Sequence, residues 1–273
     1  MSKNNVKSAK GSFSGLLTAG AIILSVCLGY LVWKYIMGSP SNFENGNPQG
    51  SPLPGNLLGV IYKGGFIVPF LIGANLTVII FAIERIISIS RAKGKGKLTK
   101  FVRNIQEMLR NDQIEEAIVA CDKQRGSLAN VMKSGLVRFR DLQSDQKLLK
   151  DQKIAALQKE LEEASALEMP MLSKNLVILS TIASISVLIG LMGTVIGMIK
   201  AFAALATAGA PDALALATGI SEALINTAFG IFGSLMAIVL YNILSTQVDG
   251  YTFKMDEAGF SVVQTFVSSE KTK

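Results

Sequence analysis

The chain has 273 residues, of which 49% are hydrophobic and only 17% charged, and its formal net charge is +7. Charged residues make up about 25% of a typical soluble domain, and long uncharged stretches account for the deficit here, which indicates an integral membrane protein. We attribute the positive charge to Lys and Arg retained beside membrane spans on the cytoplasmic side, and not to a nucleic-acid-binding surface.

The residues that usually hold metals or haem are scarce. The sequence contains no histidine, which excludes histidine metal ligands, haem attachment through histidine and histidine-based proton transfer. The two cysteines, Cys27 and Cys121, lack the neighbour spacing of a metal site. The sequence therefore predicts no metal and no cofactor.

The apolar stretches predict an all-α integral membrane protein with four transmembrane helices and a helical cytoplasmic insert. Each stretch is long enough to cross a hydrocarbon core of about 30 Å at about 1.5 Å per residue. In chain order, the predicted segments are a cytoplasmic N-terminus (1–13), transmembrane helix 1 (14–37), a periplasmic loop (38–63), transmembrane helix 2 (64–87), a cytoplasmic helical domain (88–175), transmembrane helix 3 (176–206), a short periplasmic turn (207–217), transmembrane helix 4 (218–246) and a polar cytoplasmic tail (247–273).

The first apolar stretch has an alternative interpretation as a signal peptide, because residues 1–13 are basic. The stretch is longer than an h-region of about 7–15 residues, and no A-x-A cleavage site follows it. Trp33, Lys34 and Tyr35 instead resemble an interfacial anchor. We therefore expect residues 14–37 to be an uncleaved span.

The cytoplasmic side follows from the charge of the insert. From Arg85 to Lys174 there are eighteen basic and twelve acidic residues, and such a basic excess marks cytoplasmic segments. Loops without Lys or Arg then fall outside, and both termini fall inside.

Apolar residues at helical spacing predict a set of helices in the insert, with Asp112 capping the second of them. We expect Pro69 to kink the second span and Pro170 to mark the junction before the third.

The third and fourth spans carry many small residues, which permit close helix packing in a membrane. The small residues of the third span are Gly190, Gly193, Gly197 and Ala201, and those of the fourth are Gly219, Ala223, Gly230, Gly233 and Ser234. Lys200 is expected to reach the outer membrane surface with its flexible stem.

Glu222 is a carboxylate inside or close to hydrocarbon in the fourth span. A charged group at the bilayer centre costs at least about 2.5–3.5 kcal/mol, so it is a functional hypothesis by default. Asn226 shares its helix face, and Thr227 and Thr194 lie near it, so these groups are candidates to bond Glu222 or hold water. Two alternatives stay open: Glu222 is solvated near the outer surface, or the threonines only bond their own helix backbone.

Two segments carry a family resemblance. IGLMGTVIGMIKAF (189–202) and ISEALINTAFGIFGSLMAIVLYN (220–242) resemble the LxGTVxGxxxxF and IxEALxxTAxGLxxAIPAxxxYN patterns of the MotA/TolQ/ExbB proton-channel family, and within it the ExbB and TolQ branch. The adjacent Glu84 and Arg85, which are followed by a basic segment, also resemble the inner end of a family span. A juxtamembrane charge pair is the alternative there.

The resemblance implies a proton-channel subunit of an inner-membrane motor in a Gram-negative cell. It implies a homo-oligomer, a pentamer in the family, whose two long helices line a pore around a single-span subunit like ExbD or TolR. Proton flow would drive a TonB-like or TolA-like protein that acts on the outer membrane. By position, Glu222 matches the family glutamate, and Thr194 and Thr227 match its pore-lining threonines.

Three features of this chain differ from the family pattern. The chain has an extra span at 14–37, and it has Asn226 and Ile238 where Ala and Pro are common. The residues do not distinguish energising TonB-dependent transport from a TolQ-type role in envelope integrity or from a gliding or flagellar-type stator. A non-conducting membrane scaffold is a further alternative. A membrane enzyme is disfavoured, because no nucleophile–base pair or metal cluster is evident.

Overall fold

The computed structural model describes residues 3–144, 147–207 and 213–269, and within these it contains helices and no β-strand. The all-α prediction is confirmed. The helices are α1 (Lys3–Leu31, continued by a π-helix over Val32–Met37), α2 (Leu57–Tyr62), α3 (Val68–Ala92), α4 (Leu98–Arg110), α5 (Ile114–Gln124), α6 (Ser127–Ser144), α7 (Lys150–Ser173), α8 (Leu176–Thr207) and α9 (Ala213–Ser269).

Four of the described helical stretches are long and apolar enough to cross a membrane. They are Gly15–Met37, Gly65–Ala92 and apolar windows within Lys150–Ala206 and Ala215–Ser268. The chain divides into two compact units. The span unit comprises residues 1–82 and 178–241, and the insert unit comprises residues 83–177 and 242–273.

In the span unit, α1 packs on α3 through glycines. A Cβ on Gly73 would lie 2.8 Å from Cα of Val26, and one on Gly29 would lie 2.8 Å from the backbone nitrogen of Gly73. Because both glycines lack a side chain, the two helix backbones approach closely, as small residues allow in membranes.

The loop at 38–63 is ordered around one buried amide. Asn42 donates through Nδ2 to the carbonyls of Ile36 and Met37, and its Oδ1 accepts from Asn56. The rings of Trp33 and Tyr62 stack with their centroids 4.7 Å apart. These bonds satisfy carbonyl groups at the end of the π-helix and fix the conformation of the loop before α2.

The insert unit packs through large side chains. Phe139 of α6 and Phe266 of α9 are at most 1% exposed and meet edge to face at 4.8 Å between centroids. Gln106 of α4 donates to the Ser261 hydroxyl at 2.7 Å. The final part of α9 is thus built into this unit.

The C-terminal segment has a helical structure that its prediction did not specify. Residues 247–273 were predicted to be a polar cytoplasmic tail, and the part of this tail that the structure describes continues α9 as far as Ser269. The buried residues of this stretch recur at helical spacing: Val248, Tyr251, Met255, Ala258, Val262 and Phe266. Their period of three to four residues gives the helix an apolar face, which the overall polarity of the segment conceals.

Smaller differences concern helix ends. The prediction that Asp112 caps α5 is wrong, because Gln113 holds that position and Asp112 accepts a bond from Gln143 instead. Pro69 lies in the first turn of α3, where its missing N–H needs no partner and no kink is required. Pro170 lies inside α7, and the junction with α8 falls at Asn175, whose φ is +62°. The middle of the predicted 207–217 turn lies outside the described residues.

Candidate functional site

Glu222 lies on the face of α9 that packs against α8, and it is only 7% exposed. Its Oε1 accepts a hydrogen bond from Nζ of Lys200 on α8 at 2.7 Å. The Lys200 side chain is half-exposed. The carboxylate is therefore buried and paired with a cation, as buried charges usually are.

The turn before α3 covers this carboxylate. Gly65 has a φ of +77°, and a Cβ there would collide with Oε1 of Glu222. The neighbouring Gly64 carbonyl accepts a bond from Nδ2 of Asn226 at 2.9 Å. A residue with a side chain at position 65 would be strained by its backbone angle and would also displace the carboxylate.

Asn226 is fully buried, and its role in the described structure is to hold the Gly64–Gly65 turn against α9. Its Oδ1 has no hydrogen-bond partner. Within the described residues, no hydrogen bond joins Asn226 or either threonine directly to Glu222. The candidate bonds between these groups and Glu222 are therefore absent from this structure.

Thr194 and Thr227 form a hydroxyl pair between α8 and α9. Their oxygens are 2.6 Å apart, and Thr194 also donates to the Gly190 carbonyl at 3.1 Å. Thr194 thus bonds both its own helix backbone and the neighbouring helix. The pair lies five residues along α9 from Glu222, which is about 7.5 Å of helix rise.

Small residues bring α8 and α9 into backbone contact around these polar groups. A Cβ on Gly190 would lie 3.1 Å from Cα of Gly230, and one on Gly197 would lie 2.8 Å from the Gly219 carbonyl oxygen. A Cβ on Gly193 would lie 2.5 Å from that of Asn226, and Ala201 packs on Gly219. Gly233 instead faces the Ser186 hydroxyl and the Asn75 amide.

The pair of Lys200 and Glu222 escaped the sequence analysis, which placed Lys200 at the membrane surface. The positions of Lys200 and Glu222 relative to the predicted turn could have indicated the pairing. Lys200 precedes the predicted 207–217 turn by seven residues, and Glu222 follows it by five. Such residues reach similar depths when the two flanking helices pack antiparallel.

Glu84 and Arg85 make their contacts within the insert unit. Arg85 is 2% exposed; its guanidinium pairs with Glu84 and donates to the Met171 carbonyl at 3.2 Å. Asn175 donates to Oε2 of Glu84 at 3.2 Å, an oxygen that also accepts a bond from Nε of Arg85. These contacts tie α3 to the end of α7, so they favour a structural role for the charge pair.

The geometry lacks the groups of a metal centre: no cluster of three Cys, Asp or Glu side chains suited to a metal ion occurs in residues 3–144, 147–207 and 213–269. The intramembrane groups can bind a proton, donate hydrogen bonds and position water.

The chain is similar to several curated bacterial proteins. It is 44% identical over 82 residues to the "Tol-Pal system protein TolQ" of Haemophilus influenzae, a match that covers 30% of this chain and 36% of the relative. It is 34% identical over 86 residues to the "Biopolymer transport protein ExbB" of Pseudomonas putida, covering 32% of this chain and 26% of the relative.

A third relative extends further. The TolQ of Pseudomonas aeruginosa is 32% identical over 117 residues, covering 43% of this chain and 51% of that protein. The chain thus spans about a quarter to a half of the length of these relatives. The model of the MotA/TolQ/ExbB proton channel family matches residues 124–257, which include Thr194, Lys200 and Glu222. Over this segment, which is just under half of the chain, the sequence is similar to the MotA/TolQ/ExbB proton channel family, near the proteins named ExbB and TolQ.

Proposed function

We propose that this protein is a proton-channel subunit of an inner-membrane motor that uses the proton motive force to energise TonB-dependent transport across the outer membrane. The observation that carries the proposal is the buried Glu222 carboxylate, which lies between closely packed apolar helices within the segment matched by the family model. A carboxylate is rarely kept in such surroundings without a functional use.

Glu222 is the group that binds and releases the transported proton. The hydroxyl pair of Thr194 and Thr227 provides the next polar groups on the route, about one and a half helical turns from Glu222 along α9. Hydroxyls suit this role because they both donate and accept hydrogen bonds. Asn226 contributes an unpartnered buried oxygen beside this route. Glu222 and the threonine pair are not in direct contact, so bridging water would be needed to complete a path for protons.

The assembly we propose follows the family. Copies of this chain form a homo-oligomer, a pentamer, with α8 and α9 lining a pore around a single-span subunit like ExbD or TolR. A TonB-like or TolA-like protein transmits the movement. The protein lies in the inner membrane of a Gram-negative cell with both termini in the cytoplasm, which the basic excess between Arg85 and Lys174 supports. It performs no covalent catalysis.

A TolQ-type role in envelope integrity is the second candidate, because the relatives named TolQ match 30% and 43% of the chain, a share comparable to or larger than the 31–32% matched by those named ExbB. The single-span and energy-transducing proteins that co-purify with the chain from its own membranes discriminate the two roles. Recovery of a TonB-like protein favours the first role and recovery of a TolA-like protein favours the second.

Proton flux into liposomes tests the proposal directly. The chain is reconstituted with the single-span subunit that co-purifies with it, and Glu222→Gln is compared with the unmodified chain. We expect Glu222→Gln to assemble normally and to lose proton flux, since an amide cannot take up and release the proton.

Glu44→Gln is the matched control, because it makes the same chemical change at an exposed carboxylate in the loop before α2. Its flux should equal that of the unmodified complex. Undiminished flux in Glu222→Gln would make Glu222 structural and would move the proton site to an acidic group of the single-span subunit.

A further inference from the structure

The Glu222 carboxylate is neutralised by a cation that belongs to the chain itself. Nζ of Lys200 lies 2.7 Å from Oε1 of Glu222 and 5.8 Å from the centroid of the Phe66 ring. An ammonium within about 6 Å of an aromatic centroid is attracted to its face. Lys200 is thus held between a carboxylate and a ring, while half of its side chain remains exposed.

The turn before α3 crowds the Oε1 side of this carboxylate. Gly65 covers Oε1 so closely that a methyl group there would collide with it. Asn226 fixes the adjacent Gly64 at 2.9 Å. Lys63, the neighbouring cation of the same turn, is engaged elsewhere, because its Nζ donates to the Gln49 carbonyl at 2.9 Å and lies over the Phe43 ring.

Resting on the proposed function, we propose that Lys200 is the selectivity-determining residue of this site: a tethered counter-ion that admits a proton to Glu222 and keeps Na⁺ and K⁺ away from it. A tethered group competes with free ions at an effective concentration of millimolar or above. A metal cation would have to displace the ammonium and shed its own hydration shell beneath the Gly64–Gly65 turn.

A proton needs neither displacement nor an open coordination site. It adds to a carboxylate oxygen of Glu222, which becomes a neutral carboxylic acid, and the bond to Lys200 is released. The ammonium keeps its three protons and its charge and turns towards its exposed side. When the proton leaves, the carboxylate is restored and Lys200 returns to it, so neither residue is consumed.

The test measures cation access to Glu222 in the full-length chain in liposomes, without a partner or a proton gradient. Dicyclohexylcarbodiimide modifies protonated carboxyl groups in apolar surroundings, and a metal cation bound to the carboxylate protects it. Modification of the Glu222 peptide is followed by mass spectrometry in NaCl and in choline chloride at equal ionic strength. Glu222→Gln identifies the modified peptide.

We expect the unmodified chain to react at the same rate in both salts. Lys200→Met should react several-fold more slowly in NaCl than in choline chloride, since Na⁺ then reaches the carboxylate. Lys200→Arg retains a cation and should remain insensitive to Na⁺. Lys200→Gln, which is also neutral but more polar, replaces Lys200→Met if the latter does not fold, and the same result is expected.

Two results would overturn the inference: protection by Na⁺ in the unmodified chain, or equal rates in both salts for the neutral Lys200 variants. Because labelling needs no ion flux, it is separable from the proposed function. A channel that fails to conduct can still show Na⁺-dependent labelling, and a conducting channel can lack it.

Discussion

The span unit and the insert unit are both helical, but their helices pack by opposite means. Between α8 and α9, glycines and alanines bring backbone against backbone, as at Gly190 with Gly230 and Gly197 with Gly219. In the insert unit, large buried side chains such as Phe139, Met132 and Phe266 fill the space between helices.

The difference reflects the solvent expected around each unit. Helices in lipid gain nothing by burying leucine, because lipid tails are equally apolar, so they associate through close van der Waals contact at small residues. The helices of a water-facing insert are held by removal of apolar surface from water. The close backbone packing in the span unit also brings a lysine of one helix within bonding distance of a glutamate on the next.

The largest expected effect comes from filling the small-residue contact. Gly193→Leu places a branched side chain where even a Cβ would lie 2.5 Å from Asn226. We expect loss of the assembled protein, because neither backbone can move apart without breaking the neighbouring glycine contacts. Native mass spectrometry of the detergent-extracted protein measures assembly.

Gly20→Leu is the matched control for this change, since a Cβ at Gly20 meets nothing within 4 Å in an apolar helix of the same unit. It should assemble like the unmodified chain. An intact oligomer of Gly193→Leu would show that close approach at this position is dispensable.

A smaller loss is expected from removing a large side chain in the insert unit. Phe139→Ala should cost about 3–5 kcal/mol of unfolding free energy, because it leaves a cavity beside Phe266. Thermal unfolding followed by limited proteolysis of the insert measures the change.

Phe253→Ala is its control, because Phe253 is 69% exposed and its loss should change the unfolding free energy by at most about 0.5 kcal/mol. Equal destabilisation by the two variants would contradict the assignment of the insert unit's stability to buried large side chains.

The smallest expected effect is a pH dependence of the insert unit's stability, caused by its buried cysteine. Cys121 is 2% exposed, and burial, aided by Asp122, raises the pKa of its thiol from 9.0 to about 12. Between these values the unfolded chain has lost a proton that the folded chain retains, so the free energy of unfolding should fall as pH rises above 9.

The measurement is alkylation of Cys121 in a Cys27→Ser background as a function of pH. Reaction should stay slow until the insert unfolds, because the thiolate is the nucleophile. Cys121→Ala should show a weaker loss of stability in the same pH range. Rapid alkylation of the folded chain at pH 9 would be inconsistent with a buried neutral thiol.

Much of this molecule follows from local sequence. The length and apolarity of the spans suffice to predict four membrane-length helices, because a bilayer imposes both properties directly. The spacing of Gly190, Gly193 and Gly197 predicts a close-packing face, and the residues of the α8 and α9 segments indicate the family. Glu222 is evident as a site because charge in hydrocarbon is costly.

Other features depend on contacts between distant residues, which no local pattern specifies. The bond from Asn226 to Gly64 joins residues 162 positions apart, and the pairing of Lys200 with Glu222 requires two helices to meet in one register. The entry of residues 247–269 into the insert unit depends on partners such as Phe139 and Gln106. The sequence by itself determined which residues are polar in an apolar setting, since that is composition, whereas only the tertiary structure decided which of them touch, because contact depends on helix register and backbone approach.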